Sequence, residues 1–300
     1  MKADLDRESM AKILYSEGAN HFARERYDLA ISVFQRLFSE FRDITYAPEI
    51  AMWLGACHHY LGDQQLALEH LRFALDGIDQ EEEDFYLIQI LHYLAKVYYT
   101  KNNFSEALVC LNAAEPLYHL WQEPDSWHYR FDFRLLKGRV FMQLCMFSDG
   151  LRELMDSRSQ IPKSSLTEEQ DALFNYELGR AYHYLDKQEE AQLHLGKVDE
   201  TILADSNLVI GYHHVMMRLG IATSDYSLTL TYWQKLKSGG FPSAYAADVY
   251  SLAAKAYYYT GMGCESTYCF RRSLESWPLR DDIKNTNLAY LAELAKAGYD

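Results

Sequence analysis

Small and apolar positions recur along this chain in one spacing. A small residue is followed twelve positions later by a second one, and an aromatic or aliphatic residue stands four positions after that. Two antiparallel helices approach closely only where both carry little side chain, and the large residue one turn later fills the wedge. The spacing therefore predicts a helix hairpin copied along the chain, with a Met in the first small position of the sixth copy. The seven copies are Gly18, Ala30, Phe34; Gly55, Ala67, Leu71; Ala95, Ala107, Leu111; Gly138, Gly150, Leu154; Gly179, Ala191, Leu195; Met217, Thr229, Trp233; and Ala254, Ser266, Phe270.

Each such hairpin has an apolar flank that it cannot bury alone, so the copies must stack and share one core. The predicted fold class is all-α, an α-solenoid of about seven hairpins with a C-terminal capping helix. Because length in a solenoid counts repeats, we expect one domain over residues 1–300. The expected hairpins span residues 10–43, 47–79, 85–118, 128–161, 168–201, 206–238 and 243–278, and the capping helix spans residues 282–297.

Three copies carry a Leu followed by the small residue and, three positions later, a His or Tyr. These segments are Leu54-Gly55 with His58, Leu94-Ala95 with Tyr98, and Leu178-Gly179 with Tyr182. They resemble the tetratricopeptide repeat, whose signature couples Leu-Gly, Tyr, Ala, Phe and Pro at fixed offsets, and Pro278 stands eight residues after Phe270. The resemblance implies a right-handed solenoid.

The repeats are longer than the standard 34-residue unit. The first small positions of successive copies lie 37 to 43 residues apart. In length they are similar to the repeats of peptide-pheromone receptors of Gram-positive bacteria and of sensor domains attached to bacterial transcription activators. That similarity implies a domain that binds a short peptide or a small effector.

Two local features depart from or refine the repeat. Arg134 and Lys137 stand in the fourth copy where apolar residues are expected. Before the fifth copy, Ser165 precedes Glu168 by three residues, which predicts a helix capped by Ser165.

The amino-acid composition narrows the class of protein to which the chain can belong. Hydrophobic residues at 49% with 24% charged residues exclude general disorder. The start of the chain lacks an apolar leader segment, and no stretch is long and apolar enough to cross a bilayer. The five cysteines form no C-x-x-C pair, so we expect buried thiols in a reducing cytoplasm and no membrane partner.

The sequence offers no catalytic motif of the P-loop, dinucleotide, nucleophile-elbow or metalloprotease type. The adjacent pairs His58-His59 and His213-His214 point about 100° apart on a helix, so neither pair can hold a zinc ion from one face. We therefore expect no enzyme, no metal and no cofactor.

The first helix of each hairpin is expected to line the inner face through its second, fifth, ninth and twelfth positions, with the first small residue counted as the eighth. Five successive copies place a cation at the ninth position, although the chain carries a formal charge of −14. Aromatic residues and histidines occupy six of the ten fifth and twelfth positions in these copies, and Leu, Met, Ile and Ser occupy the other four. The predicted groove residues are Lys96, Arg139, Arg180, Arg218, Lys255, Tyr99, Tyr176, His183, His214, Tyr258, His59 and His92.

Arginine binds carboxylates bidentately, while aromatic side chains hold apolar ones. The groove is therefore interpreted as the binding site of an extended peptide that is acidic or ends in a free C-terminus. An alternative is that the cations form ion pairs within the solenoid, with acidic partners such as Glu49, Asp132, Glu177 or Asp248. Direct nucleic-acid binding is not expected at an isoelectric point near 5.2. The rival functions are a scaffold or homo-oligomer that uses its convex or terminal surfaces, and a sensor of a small anionic effector.

Overall fold

The chain is all-α. A computed structural model describes residues 2–41, 47–78, 84–121, 127–159, 166–203, 205–276 and 279–299, and no residue in these ranges lies in a β-strand. A 3-10 helix, Glu115–Trp121, follows the sixth α-helix. The α-helices are α1 Lys2–Ala23, α2 Tyr27–Glu40, α3 Ala47–Tyr60, α4 Gln64–Gly77, α5 Asp84–Thr100, α6 Phe104–Ala114, α7 Trp127–Gln143, α8 Phe147–Ser159, α9 Glu168–Tyr184, α10 Gln188–Leu195, α11 Ser206–Ala222, α12 Tyr226–Gly239, α13 Ser243–Tyr259, α14 Gly263–Glu275 and α15 Asp281–Lys296.

The helices pack in consecutive antiparallel pairs, α1 with α2 through α13 with α14, and within each unit the second helix of a pair also contacts the first helix of the next. The first unit, residues 1–161, contains four pairs. The second unit, residues 162–300, contains three pairs, and α15 packs on α13 and α14 as the capping helix. The prediction of seven hairpins and a capping helix is confirmed, and the expectation of one continuous domain stays a prediction.

The small residues lie where each pair of helices crosses. A Cβ atom added to Gly55 would stand 2.6 Å from Leu71 Cγ, and one added to Gly18 would stand 2.7 Å from Phe34 Cε1. In the sixth pair, Thr229 Oγ1 donates to the carbonyl oxygen of Met217 over 3.1 Å, so the same twelve-residue spacing joins these two positions. The spacing therefore marks a real contact even where Met217 replaces the small residue.

Each turn between the two helices of a pair contains one residue with positive φ, always seven positions after the first small residue. Left-handed backbone costs most residues energy and glycine very little, yet only two of the seven are glycine. The residues are Glu25, Gly62, Asn102, Cys145, Asp186, Ser224 and Gly261. Asn102, Asp186 and Ser224 are turn-forming residue types, but Glu25 and Cys145 are not, so residue type alone does not reveal this feature in every copy.

Two expectations on local structure need correction. Helix α9 is capped by Thr167, whose Oγ1 accepts from the backbone N–H of Gln170 over 3.2 Å, while the Gln170 side chain accepts from the Thr167 N–H. Ser165 and Pro278 lie outside the described residues. All five cysteines are free thiols, but Cys145 and Cys264 are exposed and not buried as expected.

Within the described ranges, no helix combines the length and apolar character that a bilayer crossing requires.

Candidate functional site

The predicted groove residues lie on the first helices of the pairs, which we call the first-helix face: α3, α5 and α7 in the first unit, and α9, α11 and α13 in the second. Five of the predicted residues belong to the first unit and seven to the second. The two sets are therefore two clusters, each with its own geometry.

In the first unit, Lys96 on α5 is held by an internal anion. Its Nζ donates to Oδ2 of Asp132 on α7 over 2.7 Å, and it lies 5.9 and 5.6 Å from the ring centroids of Tyr60 and Tyr93. Burial alone would raise the pKa of the Asp132 carboxyl, but the charge and hydrogen bond of Lys96, together with the charges of His92 and Arg139, lower that pKa. Lys96 and Asp132 therefore compensate each other's charge within the protein.

Arg139 stacks on the neighbouring predicted residue. Its guanidinium carbon lies 4.8 Å from the ring centroid of Tyr99, within cation–π range. Gln64 fixes the orientation of the His59 ring. Its amide nitrogen donates to the His59 carbonyl oxygen over 3.1 Å, and its Oε1 lies 2.8 Å from His59 Nδ1. The structure thus brings Arg139 onto Tyr99 and fixes the His59 ring by a backbone-anchored amide.

His92 lies one turn before Lys96 and is 5% exposed. Burial, followed by the charge of Lys96, lowers the pKa of its imidazole to about 3, while Asp132 opposes the shift and His59 adds to it. An unfolded chain protonates histidine near a pKa of about 6.5. Because only the unfolded chain takes up this proton, the free energy of unfolding falls as pH drops from about 6.5 toward 3.

Replacing His92 with Phe is expected to make stability less dependent on pH, because the variant has no buried imidazole to keep neutral. Between pH 7 and pH 5 the native protein should lose about 2 kcal/mol more of unfolding free energy than His92→Phe. Urea unfolding followed by circular dichroism at both pH values measures the difference. Parallel losses in the two proteins would contradict the prediction.

In the second unit, Asp248 on α13 joins two predicted residues on α11. One carboxylate oxygen, Oδ2, accepts from Arg218 Nε over 3.0 Å and lies 2.6 Å from His214 Nε2. Burial opposes ionisation of Asp248, yet the hydrogen bond from His214 and the charge of Arg218 lower its pKa well below the usual range. The Arg218 guanidinium also lies 5.8 Å from the ring centroid of Tyr184.

Arg180 on α9 has a weaker anionic contact. Its Nε lies 3.5 Å from Oε2 of Glu177 on the same helix, and its guanidinium carbon lies 5.7 Å from the ring centroid of Tyr176. Burial raises the pKa of the Tyr176 hydroxyl to about 12. Tyr258 lies apart from these groups and donates to Glu293 Oε2 on α15 over 2.7 Å.

The ion pairs follow a rule of repeat geometry. Lys96 and Arg218 stand at the ninth position of a first helix, and Asp132 and Asp248 stand at the second position of the next first helix. These are pairs that the sequence offered as the alternative to ligand binding. For Arg180 the corresponding second position is Gly211, which supplies no carboxylate.

Lys255, the last of the five cations, lies in a cleft of about 290 Å³ between α11, α13 and α15 with His183 on α9 at its edge. Among the described residues, no carboxylate lies within 4 Å of its ammonium and no group hydrogen-bonds to it. Burial, followed by the charge of Arg218, lowers the pKa of Lys255, although Asp248 and Asp282 oppose the shift. The lining residues are His183, Arg218, Ile221, Ala222, Asp248, Ser251, Leu252, Lys255, Arg280, Asp282, Ile283 and Thr286.

The cleft gathers three predicted groove residues, His183, Arg218 and Lys255, and adds a wall that the sequence did not indicate. That wall belongs to α15 and the residue before it, where Arg280 binds Asp282 through two hydrogen bonds of 3.1 and 2.7 Å. Because α15 lacks the small-residue spacing, nothing in the sequence placed its first turn against α13.

Comparison with solved structures identifies the fold. Over 89% of this chain and 97% of the other, the apo form of RapI matches with a TM-score of 0.57 at 15% identity. PilF of Pseudomonas aeruginosa matches over 78% of this chain and 93% of its own with a TM-score of 0.54 at 14% identity. A tetratricopeptide repeat protein from Parabacteroides merdae matches over 95% and 98% with a TM-score of 0.51 at 13% identity. The chain has the tetratricopeptide-repeat fold.

No family model and no curated protein matches the sequence. The tetratricopeptide-repeat fold is therefore carried here by a sequence whose spacing, rather than its identity to any relative, is the detectable signal. Within the ranges that the structure describes, no three His, Cys, Asp or Glu side chains are grouped so that they could hold a metal ion.

Proposed function

We propose that this tetratricopeptide-repeat chain is a non-enzymatic module that binds an extended segment of a partner protein on its first-helix face, with an anionic group of that segment held by Lys255. The single observation that carries the proposal is the cleft around Lys255. It places a half-buried ammonium without a paired carboxylate, among the described residues, inside a protein of formal charge −14.

The other cations support the proposal by contrast. Lys96 and Arg218 each have a carboxylate from the next first helix at 2.7 and 3.0 Å, so their charges are already compensated. A half-buried ammonium without such a partner pays the cost of desolvation and gains from an incoming anion. Tyr184, which lies 5.8 Å from the Arg218 guanidinium of the cleft and is 36% exposed, offers apolar contact to a peptide.

The matched structures show the fold, and the fold bears on the kind of ligand. PilF and RapI are proteins with the same repeat architecture. Helix pairs that each expose a first-helix face give an extended surface, which suits an extended peptide better than a compact ligand.

Charge reversal at Lys255 tests this function. Lys255→Glu is expected to weaken binding of an acidic peptide by at least about 30-fold, because losing one partner of a buried charge pair costs about 2 kcal/mol or more. Fluorescence anisotropy with a labelled library of acidic peptides measures the dissociation constants. Lys197→Glu, at an exposed lysine of the same unit that lines no part of the cleft, is the matched control and should bind like the native protein.

An unchanged dissociation constant for Lys255→Glu, with the fold intact by circular dichroism, would refute the site. A stable oligomer in light scattering whose peptide affinity is lost on assembly would instead favour the scaffold function.

A further inference from the structure

We infer that a second cleft in the second unit binds a free aromatic α-amino acid. Its aromatic wall takes the ring of the ligand, Lys237 on α12 takes the α-carboxylate, and Glu265 on α14 takes the α-ammonium. This cleft has no residue in common with the cleft around Lys255. A small-molecule ligand here is therefore independent of the peptide that the proposed function places at Lys255.

The second cleft, which we call the α12–α14 cleft, lies between the second helices of the last two pairs, with Tyr257 of α13 between them. Its volume is about 270 Å³. Sites for small ligands occupy about 300–1,000 Å³. The cleft therefore has room for a molecule of the size of one amino acid and not for a large cofactor.

Aromatic side chains form the apolar wall of the α12–α14 cleft. Trp233 is 2% exposed and Tyr257 is half-buried, and the Gln234 amide nitrogen donates to the Tyr257 hydroxyl over 3.3 Å. Tyr268 at the rim is 56% exposed, and within the described ranges its ring contacts no other aromatic ring. Aromatic rings pack in offset or edge-to-face geometry, so a planar ligand in the cleft can cover the exposed Tyr268 ring.

Two side chains of opposite charge line this cleft without an ionic partner. Among the described residues, no carboxylate lies within 4 Å of the Lys237 ammonium, and no cation lies within 4 Å of the Glu265 carboxylate. By contrast, Lys235 on α12 and Arg272 on α14 each have a carboxylate, at 2.5 and 2.9 Å. Lys237 and Glu265 are therefore both open to a ligand.

The buried thiol of Cys269 lies near both charges. Burial raises the pKa of this thiol to about 12, and the charge of Lys237 opposes the shift while the charge of Glu265 adds to it. A thiol with so high a pKa is neutral at pH 7 and compensates neither charge. Lys237 Nζ also lies 6.0 Å from the ring centroid of Trp233. The aromatic wall therefore has a cation on its α12 side and an anion on its α14 side.

A ligand that fits the α12–α14 cleft needs a planar apolar group, an anionic group for Lys237 and a cationic group for Glu265. A free aromatic α-amino acid carries all three groups. An aromatic carboxylic acid leaves Glu265 without a partner, and an aromatic amine leaves Lys237 without one. An aromatic residue inside a partner chain offers neither charge, because its amino and carboxyl groups are in peptide bonds.

Isothermal titration calorimetry with the full chain measures which groups of the ligand are recognised. L-Phenylalanine, L-tyrosine and L-tryptophan are titrated first, with L-alanine as the control that lacks a ring. The tightest binder is then compared with its deaminated acid, its decarboxylated amine and its N-acetyl amide. The acid and the amine are each expected to bind about fivefold more weakly than the amino acid, the effect of one ion pair at a partly exposed site. The N-acetyl amide lacks both charges and should bind about 25-fold more weakly.

Two variants that remove a charge assign each contact to its residue. In Lys237→Met the amino acid and the amine should bind equally, because the carboxylate has lost its partner. In Glu265→Gln the amino acid and the deaminated acid should bind equally, because the ammonium has lost its partner. Lys197→Met removes an exposed lysine of the same unit outside the cleft and should keep both preferences.

The exposed thiol of Cys264 reports where the ligand binds. Cys264 lines the α12–α14 cleft, whereas the exposed Cys145 belongs to the first unit. At ten times its dissociation constant, the amino acid is expected to slow alkylation of Cys264 by iodoacetamide about tenfold. Alkylation of Cys145 should not change. Peptide mass spectrometry measures both rates in one sample.

Equal binding of the N-acetyl amide and the amino acid would overturn the free amino acid as ligand and indicate an aromatic side chain of a partner protein. Equal binding of L-alanine would overturn the role of the aromatic wall. Unchanged alkylation of Cys264, or both preferences retained in Lys237→Met and Glu265→Gln, would overturn the site. No binding of any aromatic amino acid would overturn the inference as a whole. In every case the proposed function is tested separately, by acidic peptides and Lys255→Glu.

Discussion

Replacing Glu153 with Ala is expected to destabilise the first unit by about 4 kcal/mol. Glu153 on α8 is 6% exposed and accepts from Arg134 Nη1 over 2.8 Å. Its other oxygen lies 3.8 Å from Nζ of Lys137, which is 3% exposed. Without Glu153 the two cations face each other in the core, and among the described residues the remaining carboxylates near them, from Glu115 and Asp156, lie at the exposed edge.

Urea unfolding of Glu153→Ala measures this loss, and Asp156→Ala is the matched control. Asp156 lies 3.9 Å from the same Arg134, but its side chain is 55% exposed. Removing a solvated partner should cost less than about 1 kcal/mol. Equal losses in the two variants would show that burial does not govern the contribution of this network.

The same network shows what sequence reasoning could and could not establish. Arg134 and Lys137 were recognisable as polar residues at apolar positions, because the repeat spacing fixes what each position of a first helix should face. Their main partner was not recognisable, because the pairing with Glu153 depends on how α8 packs against α7. The 3-10 helix that brings Glu115 to Lys137 has no counterpart in the described parts of the other repeats.

In the candidate site, too, some residues could be predicted from the sequence and others could not. The ninth-position cations, and the acidic residues that bind two of them, could be named from the sequence because both lie on helices in a fixed register. The cleft needed the structure. Its last wall comes from α15. This helix does not carry the small-residue spacing of the repeats, so the spacing could not predict which of its residues face α13.

The tautomer of the His183 imidazole was harder still to predict from the sequence. A histidine at the twelfth position is visible as a pattern, but its tautomer is set by Gln188, which is set in turn by Asp186 in the left-handed turn position. The histidine and glutamine recur at the same positions in the second copy, as His59 and Gln64, but Gly62 stands there in place of Asp186. Local geometry therefore decides the chemistry that the repeat only positions.

Gly179→Val is expected to destabilise the second unit by about 3 kcal/mol, at the upper end of the cost of overpacking a core. A Cβ at this position would stand 2.5 Å from Leu195 Cγ and 3.1 Å from the Leu195 backbone nitrogen. Leu195 is fully buried, and its carbonyl oxygen accepts from the Tyr212 hydroxyl over 3.2 Å. Since the clash includes backbone, a change of rotamer at Leu195 cannot relieve it.

Chemical unfolding of the native protein and four variants, Gly179→Val, Leu195→Ala, the double variant of these two and Gly239→Ala, tests the wedge directly. Gly239→Ala is the control, because a Cβ there meets no atom within 4 Å, and it should change stability by less than about 0.5 kcal/mol. Leu195→Ala alone should cost about 3 kcal/mol through the cavity that it leaves. The double variant should cost less than the sum, because the added valine methyls occupy part of that cavity and lose their clash with the leucine side chain. Strict additivity would mean that Gly179 and Leu195 do not form one packing unit, and the twelve-residue spacing would then lose its physical cause in this hairpin.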